Sequence, residues 1–281
     1  LWQDAGGEVL TRQHFALLSL LATAMAGPAA AQQPASTEAL ARAAQNPLAN
    51  LVSVPFQNNT NFGVGPRDGT QNVLNIQPVV PFSLGKDWNL ITRTIVPIIT
   101  QPGFEAGQGT TTGLGDIQLT GFLSPSTSEG LIWGAGVIGQ LPTNSNDRLG
   151  NDRWGLGPSA VVLRMDEGSP WVYGFLVNNV WSVGGGSDPK YNNFLLQPFV
   201  NYNLLDGWYL TSSPVITADW EAPSSQRWTV PLGGGVGKIV HFGRLPVNLQ
   251  LQGYYNVEKP DNGADWTLRF QIQFLFPKAL L

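Results

Sequence analysis

The chain contains no cysteine, so a disulfide framework, a thiol nucleophile and a cysteine-bound metal are all excluded. Charge is also scarce. Asp, Glu, Lys and Arg make up 12% of the 281 residues, about half the share usual in soluble domains. The balance is slightly acidic, with a net charge of -4, and offers no basic footprint for a nucleic acid. There are two histidines, and after residue 31 only His241 remains. A hydrolytic site that needs an imidazole base has that one candidate, and it falls in an expected turn. No catalytic residue, cofactor or metal ligand is therefore expected. Asp147 and Asp152 could hold a divalent ion or lipopolysaccharide weakly, but a solvated loop accounts for them more simply. No stretch reaches 18 consecutive apolar residues, so no helical membrane span is expected.

Polarity is carried instead by Asn, Gln, Ser and Thr, and Gly (33), Pro (21) and Trp (10) are abundant. Residues 1–31 read as a signal peptide. Arg12 is its basic flank, Phe15 to Gly27 its apolar stretch, and Ala29-Ala30-Ala31 its cleavage site. Asp4 and Glu8 fit that role poorly, which suggests translation begins nearer Thr11. Residues 32–50 form a short Ala-rich segment, periplasmic or plug-like. Ser36 there can cap a helix of about two turns ending before Pro47.

From residue 51 to 281 the pattern has period two. Twelve segments alternate, at about 51–64, 72–84, 88–101, 113–125, 130–141, 154–164, 170–183, 193–205, 208–221, 227–240, 246–258 and 266–276. In the last, Trp266, Leu268, Phe270, Ile272, Phe274 and Phe276 oppose Thr267, Arg269, Gln271 and Gln273. Such segments are about twice as long as common soluble strands and suit a tilted crossing of a bilayer. Connections alternate between tight ones, such as Gly85 to Asp87, and long polar ones, such as Pro142 to Arg153. The pattern predicts an all-β fold: a closed antiparallel transmembrane β-barrel of about 12 strands, both termini in the periplasm.

Tryptophans gather near strand ends. Trp88, Trp171 and Trp208 follow short turns, whereas Trp154, Trp181, Trp220, Trp228 and Trp266 flank long loops. Two such groups predict the two aromatic girdles of a membrane barrel. Six prolines (Pro78, Pro97, Pro158, Pro198, Pro214 and Pro231) fall inside the segments and predict bulges, since proline removes a ladder hydrogen bond. If the large apolar residues face lipid, the lumen carries Asn75, Gln77, Arg93, Asp116, Gln118, Asn178, Gln197, Asn201, Asp219, Gln250, Gln252, Arg269, Gln271 and Gln273. Such a solute path is mostly neutral amide with a few charges of both signs. Arg164 and Lys238 then fall on the lipid face near strand ends.

Several segments also carry a resemblance. NPLANLVSVPFQNNTNF from Asn46, NVLNIQPVVPFSLGKDWNLITRTIVPI from Asn72, GLGDI from Gly113, WGLGPSAVVL from Trp154 and FLLQPFVNYN from Phe194 are its main carriers. Together they resemble the outer-membrane transporter family named for the MetA pathway of phenol degradation, whose members often bear the label "neuromedin U". The resemblance extends from Asn46 onward. It implies an outer-membrane barrel passing small, aromatic molecules, and it implies no catalytic motif.

The expected function is an outer-membrane channel for passive uptake of small solutes. The alternative is a non-conducting structural or loop-binding barrel. Expected partners are outer-membrane lipid and lipopolysaccharide, a small-molecule solute, and the barrel-assembly machinery. The aromatic residues Phe270, Phe274 and Phe276 of the last strand resemble that machinery's recognition signal.

Overall fold

Period-two alternation with an apolar outward face leaves each strand needing two neighbours, because an unpaired backbone N–H or C=O is costly in hydrocarbon. A computed structural model, describing residues 36–127 and 129–277, meets that need with one closed sheet. The expected signal peptide lies outside the described residues.

Fifteen strand segments make twelve barrel strands. Nine are continuous: β1 (Val52–Val64), β4 (Trp88–Gln101), β7 (Gly130–Leu141), β8 (Arg153–Met165), β9 (Trp171–Gly185), β10 (Asn192–Asn203), β13 (Trp228–Phe242), β14 (Leu245–Glu258) and β15 (Trp266–Phe276). Three are broken in two: β2 (Gly69–Ile76) with β3 (Val79–Leu84), β5 (Thr111–Leu114) with β6 (Ile117–Pro125), and β11 (Trp208–Ser212) with β12 (Ile216–Asp219). Every pairing is antiparallel between chain neighbours. β15 closes on β1 with Phe276 opposite Val52 and Trp266 opposite Phe62. Closure leaves no edge strand.

The breaks have a local cause. Pro78 separates β2 from β3, Pro214 separates β11 from β12, and Pro231 sits at a bulge in β13. The third break, at Gly115 and Asp116, lies against Pro97 of β4, whose carbonyl accepts the Gly115 N–H at 2.9 Å. Pro158 and Pro198, by contrast, sit inside continuous strands. A break frees backbone groups that must find other partners. At the first, the Gln77 N–H bonds the Pro55 carbonyl at 2.8 Å and the Thr94 N–H bonds the Pro78 carbonyl at 3.0 Å. At the other, the Ser213 N–H donates to the Tyr254 hydroxyl at 2.9 Å.

Two belts of aromatic side chains ring the outward face. At the end of the tight turns, Trp88 packs edge-on against Trp133 with ring centroids 6.1 Å apart, and Trp171 against Tyr202 at 4.7 Å. Trp208 lies in the same belt, with the Lys238 ammonium 4.4 Å from its ring centre. At the end of the long loops, Trp266 stacks on Phe62 at 4.0 Å, and Trp220 meets Trp228 at 5.4 Å. Trp154 and Trp181 are exposed at that same end. Trp133 had no place in the expected girdle because it stands three residues inside its strand. Its outward parity with Leu131 is the signal that would have found it. Between the belts the outward residues are large and apolar, among them Leu119, Val137, Leu156, Phe175 and Leu268.

The helix α1 (Thr37–Gln45) lies in the tight-turn mouth. Ser36 caps it, its hydroxyl accepting the Ala39 N–H at 3.1 Å. Glu38 in the first turn and Arg42 in the last suit the helix dipole. Leu40 and Ala41 are buried against Ile239 and Leu275, inward residues of β13 and β15. Burying a leucine of this kind stabilises by about 2 kcal/mol, so Leu40→Asp would undock the helix. The Arg42 guanidinium donates to the carbonyls of Ser169 and, at 2.7 Å, Asp166, both in one tight turn. Gln45 and Asn203 exchange two amide hydrogen bonds, at 2.8 and 3.1 Å. Gly207 has φ 74, and a Cβ there would meet the Thr37 methyl at 2.5 Å, so only glycine permits this docking.

Candidate solute cavity in the barrel lumen

The lumen is two-sided, which corrects the expectation of a mostly amide interior. From β4 round to β10, in the half nearer α1, the inward residues are mostly apolar, with Asn89, Ser124 and Asn201 as buried polar exceptions. Ile91, Phe122, Ile132, Val161, Leu163, Met165, Val172, Leu176 and Phe199 form one buried cluster with Leu48. In these strands both faces carry apolar side chains. On β8 the inward Val161 and Leu163 alternate with the outward Ala160 and Val162. Assigning every large apolar residue to lipid therefore fails there. Arg164 is exposed on the outward face, at the tight-turn end.

The opposite wall, from β13 through β15 to β4, is polar and internally bonded. Arg93 donates through Nη2 to Gln77 Oε1 at 2.5 Å. Gln77 donates to Gln57 Oε1 at 3.3 Å, and Gln57 to Asn59 Oδ1 at 3.4 Å. The same Asn59 oxygen accepts Arg269 Nε at 2.9 Å. Arg269 further donates to the Ser213 carbonyl at 2.9 Å, and its guanidinium lies 4.9 Å from the Tyr254 ring centre. Below this chain, Tyr209 donates to Asn248, Asn248 to Gln273, and Gln273 to Ser53, at 2.6, 3.0 and 3.2 Å. Two strand breaks feed the wall directly, since Gln77 and Ser213 both sit at breaks.

Between the walls is a cavity of about 160 Å3. Of the residues anticipated for the solute path, Gln77, Arg93, Gln197, Asn201, Gln250, Gln252, Arg269, Gln271 and Gln273 line it. Asn75, Gln118 and Asn178 point inward by register, opposite Gln57, Ile95 and Ser159, but do not reach it. Asp219 lies outside the lumen: exposed at the end of β12, it accepts the Glu221 N–H at 3.0 Å and closes a turn. Asp116 is taken up by a loop. Its carboxylate accepts the N–H groups of Asn144 and Asn151, at 3.2 and 2.7 Å, and so pins residues 142–152 over the long-loop mouth. Leu149 of that loop is buried.

Asp152 is likewise occupied, by the N–H groups of Ser187 and Asp188 at 2.7 and 2.9 Å, and no acidic cluster able to hold a metal occurs among the described residues. Nearby, burial, and secondarily the charge of Asp116, push the Tyr191 phenol up to about 12. Sequence reasoning missed Gln57, Ser53, Thr211 and Ser213, which also line the cavity, as do Leu51, Val79, Leu176 and Phe199. The period-two parity of β1 could have supplied Gln57 and Ser53.

On the other side of the N-terminal segment, at the tight-turn mouth, lies a second cavity of about 580 Å3. Ala43, Asn46, Ala49 and Leu51 line both. The partition between lumen and mouth is thus one segment of mostly small side chains.

No protein-family model and no curated protein matches the chain. Solved structures do. The COG4313 outer membrane channel from Pseudomonas putida F1 aligns with a TM-score of 0.60 at 20% identity, over 80% of this chain and 93% of its own. The NanC porin aligns with a TM-score of 0.51 at 8% identity, over 80% of this chain and 99% of its own. The shared fold is the outer-membrane β-barrel, and its closed wall, apolar belt and aromatic rings place this protein in the bacterial outer membrane.

Proposed function

We propose that this barrel is an outer-membrane channel for passive uptake of small solutes with an aromatic or apolar part, and that it is not an enzyme. The observation that carries this reading is the lumen cavity, with an amide wall on one side and Leu176 and Phe199 on the other. Such walls replace a solute's hydration at several weak sites, which permits both entry and release. The likeness to one barrel named a channel and one named a porin supports the reading, and the resemblance to the phenol-degradation family supports aromatic solutes. In this reading the α1 end faces the periplasm and the two belts contact outer-membrane lipid and lipopolysaccharide. The N-terminal partition favours a second reading, a closed and non-conducting barrel. Single-channel recording and liposome swelling with sugars and phenols decide between them. If neither solute class enters faster than into protein-free liposomes and recordings stay silent, the channel reading is abandoned.

A further inference from the structure

Arg93 and Arg269 line the same cavity, and no aspartate or glutamate lines it with them. Among the described residues the ion pairs are Arg164 with Asp166 and Lys259 with Asp265, so neither lumen guanidinium has a carboxylate within reach. Arg269 is buried, at 7% exposed, and Arg93 is half-buried. A guanidinium held this far from bulk water is costly without a counter-charge. The acidic residue nearest in sequence logic, Asp116, is committed to backbone N–H groups of a loop. The mouth-side carboxylates Glu129 and Glu167 lie across the partition, on the other cavity.

The hydrogen-bond chain explains what is left over. An arginine has five N–H donors. Arg93 uses one, on Gln77. Arg269 uses its Nε on Asn59 and its Nη1 on Ser213. The acceptors between them, Gln77 Oε1, Gln57 Oε1 and Asn59 Oδ1, are all consumed within the chain. Among the described residues the one fully buried side-chain polar atom without a partner is Arg227 Nε, so the unbonded nitrogens of Arg93 and Arg269 are not sealed in packed protein, and both side chains line the cavity. The cavity therefore presents an excess of fixed donors and positive charge on one wall and hydrocarbon on the other.

We propose that the cavity binds a small amphipathic carboxylate, with its carboxylate on Arg93 and Arg269 and its apolar body against Leu176 and Phe199. This rests on the channel reading and names its substrate class. A carboxylate accepts through two oxygens and suits the planar guanidinium fork. The amide chain holds the two forks in place before the solute arrives, so little ordering remains to oppose binding. A neutral phenol would leave the surplus donors unmet, and an ammonium would be repelled.

The test uses the full barrel, purified in detergent micelles, with benzoate as probe and benzyl alcohol and benzylammonium as matched controls. Titration calorimetry should show benzoate binding at least about tenfold tighter than benzyl alcohol, with benzylammonium silent. Arg93→Gln and Arg269→Gln should each weaken benzoate by about tenfold or more, the loss expected for a charge-assisted contact. Arg93→Lys and Arg269→Lys keep the charge and should retain more of the affinity than the Gln variants, which covers the case in which a Gln variant does not fold. Arg164→Gln, outside the lumen, should leave binding unchanged. In bilayers under a potassium chloride gradient, the reversal potential should favour chloride. Equal affinity for benzoate and benzyl alcohol, or an undiminished benzoate preference in the double Gln variant, overturns the proposal. Benzoate binding that depends on both arginines in a barrel that passes no current would retain this assignment and refute only the channel reading.

Discussion

Placing an arginine at Ile272 tests the strand register and the membrane position together. Ile272 lies on β15 opposite Phe56 and Leu249, on the outward face. It is six residues from Trp266, which marks the long-loop belt. At about 3.4 Å per residue and a tilt of about 40°, that distance spans roughly 15 Å of depth. The apolar band of such barrels is about 25 Å tall, so Ile272 falls near its middle. An arginine there should cost about 2–4 kcal/mol. Gln271, its chain neighbour, points the other way and lines the lumen cavity. Gln271→Arg puts its cation on a polar wall that opens on a cavity, so even beside Arg269 it should cost less than an arginine facing hydrocarbon. Reversible folding into vesicles of one lipid, followed by tryptophan fluorescence against guanidinium concentration, measures both. Equal losses for the two variants, or a larger loss for Gln271→Arg, would refute the assignment of faces.

Deleting residues 36–45 removes α1 from the mouth and should raise single-channel conductance; an unchanged conductance would reduce the helix to a tether. Asp116→Asn removes the charge from the acceptor that holds residues 142–152 and should increase both current fluctuation and protease cleavage within that loop. A cysteine introduced at Asp147 should be labelled from outside intact cells and one at Lys86 should not, and the reverse pattern would invert the barrel in the membrane.

Much of the architecture follows from local pattern. The twelve strands sit within a few residues of where alternation places them, because a strand's two-sidedness is written in adjacent residues. On β15 the reading of faces holds for most of the strand: Arg269 and Gln273 are buried inside, whereas Trp266 and Phe270 are exposed outside, and Leu275, apolar yet inward against α1, is the exception. On β8 the same rule loses its grip, since Val161 and Val162 carry equal hydrophobicity and opposite directions. The breaks show the limit in another form. Proline announces a lost hydrogen bond at Pro78 and Pro214, but nothing local says that Gln77 and Ser213 then turn toward Arg93 and Arg269. The third break falls at a glycine and an aspartate and carries no proline of its own.

The sequence by itself determined that this chain must close into a membrane barrel. Few charges, no cysteine, long alternating strands and tryptophan at both strand ends are properties of single residues and their neighbours, and only a closed sheet satisfies them in lipid. Tertiary structure alone decided what the lumen holds. Arg93 and Arg269 are 176 positions apart in the chain, yet four hydrogen bonds join them across β4, the β2–β3 break, β1 and β15. Asp116 and Asp219, equally polar on paper, are drawn away by loop N–H groups. Barrel closure and strand stagger set which inward residues meet, and those depend on the whole ring rather than on any segment of it.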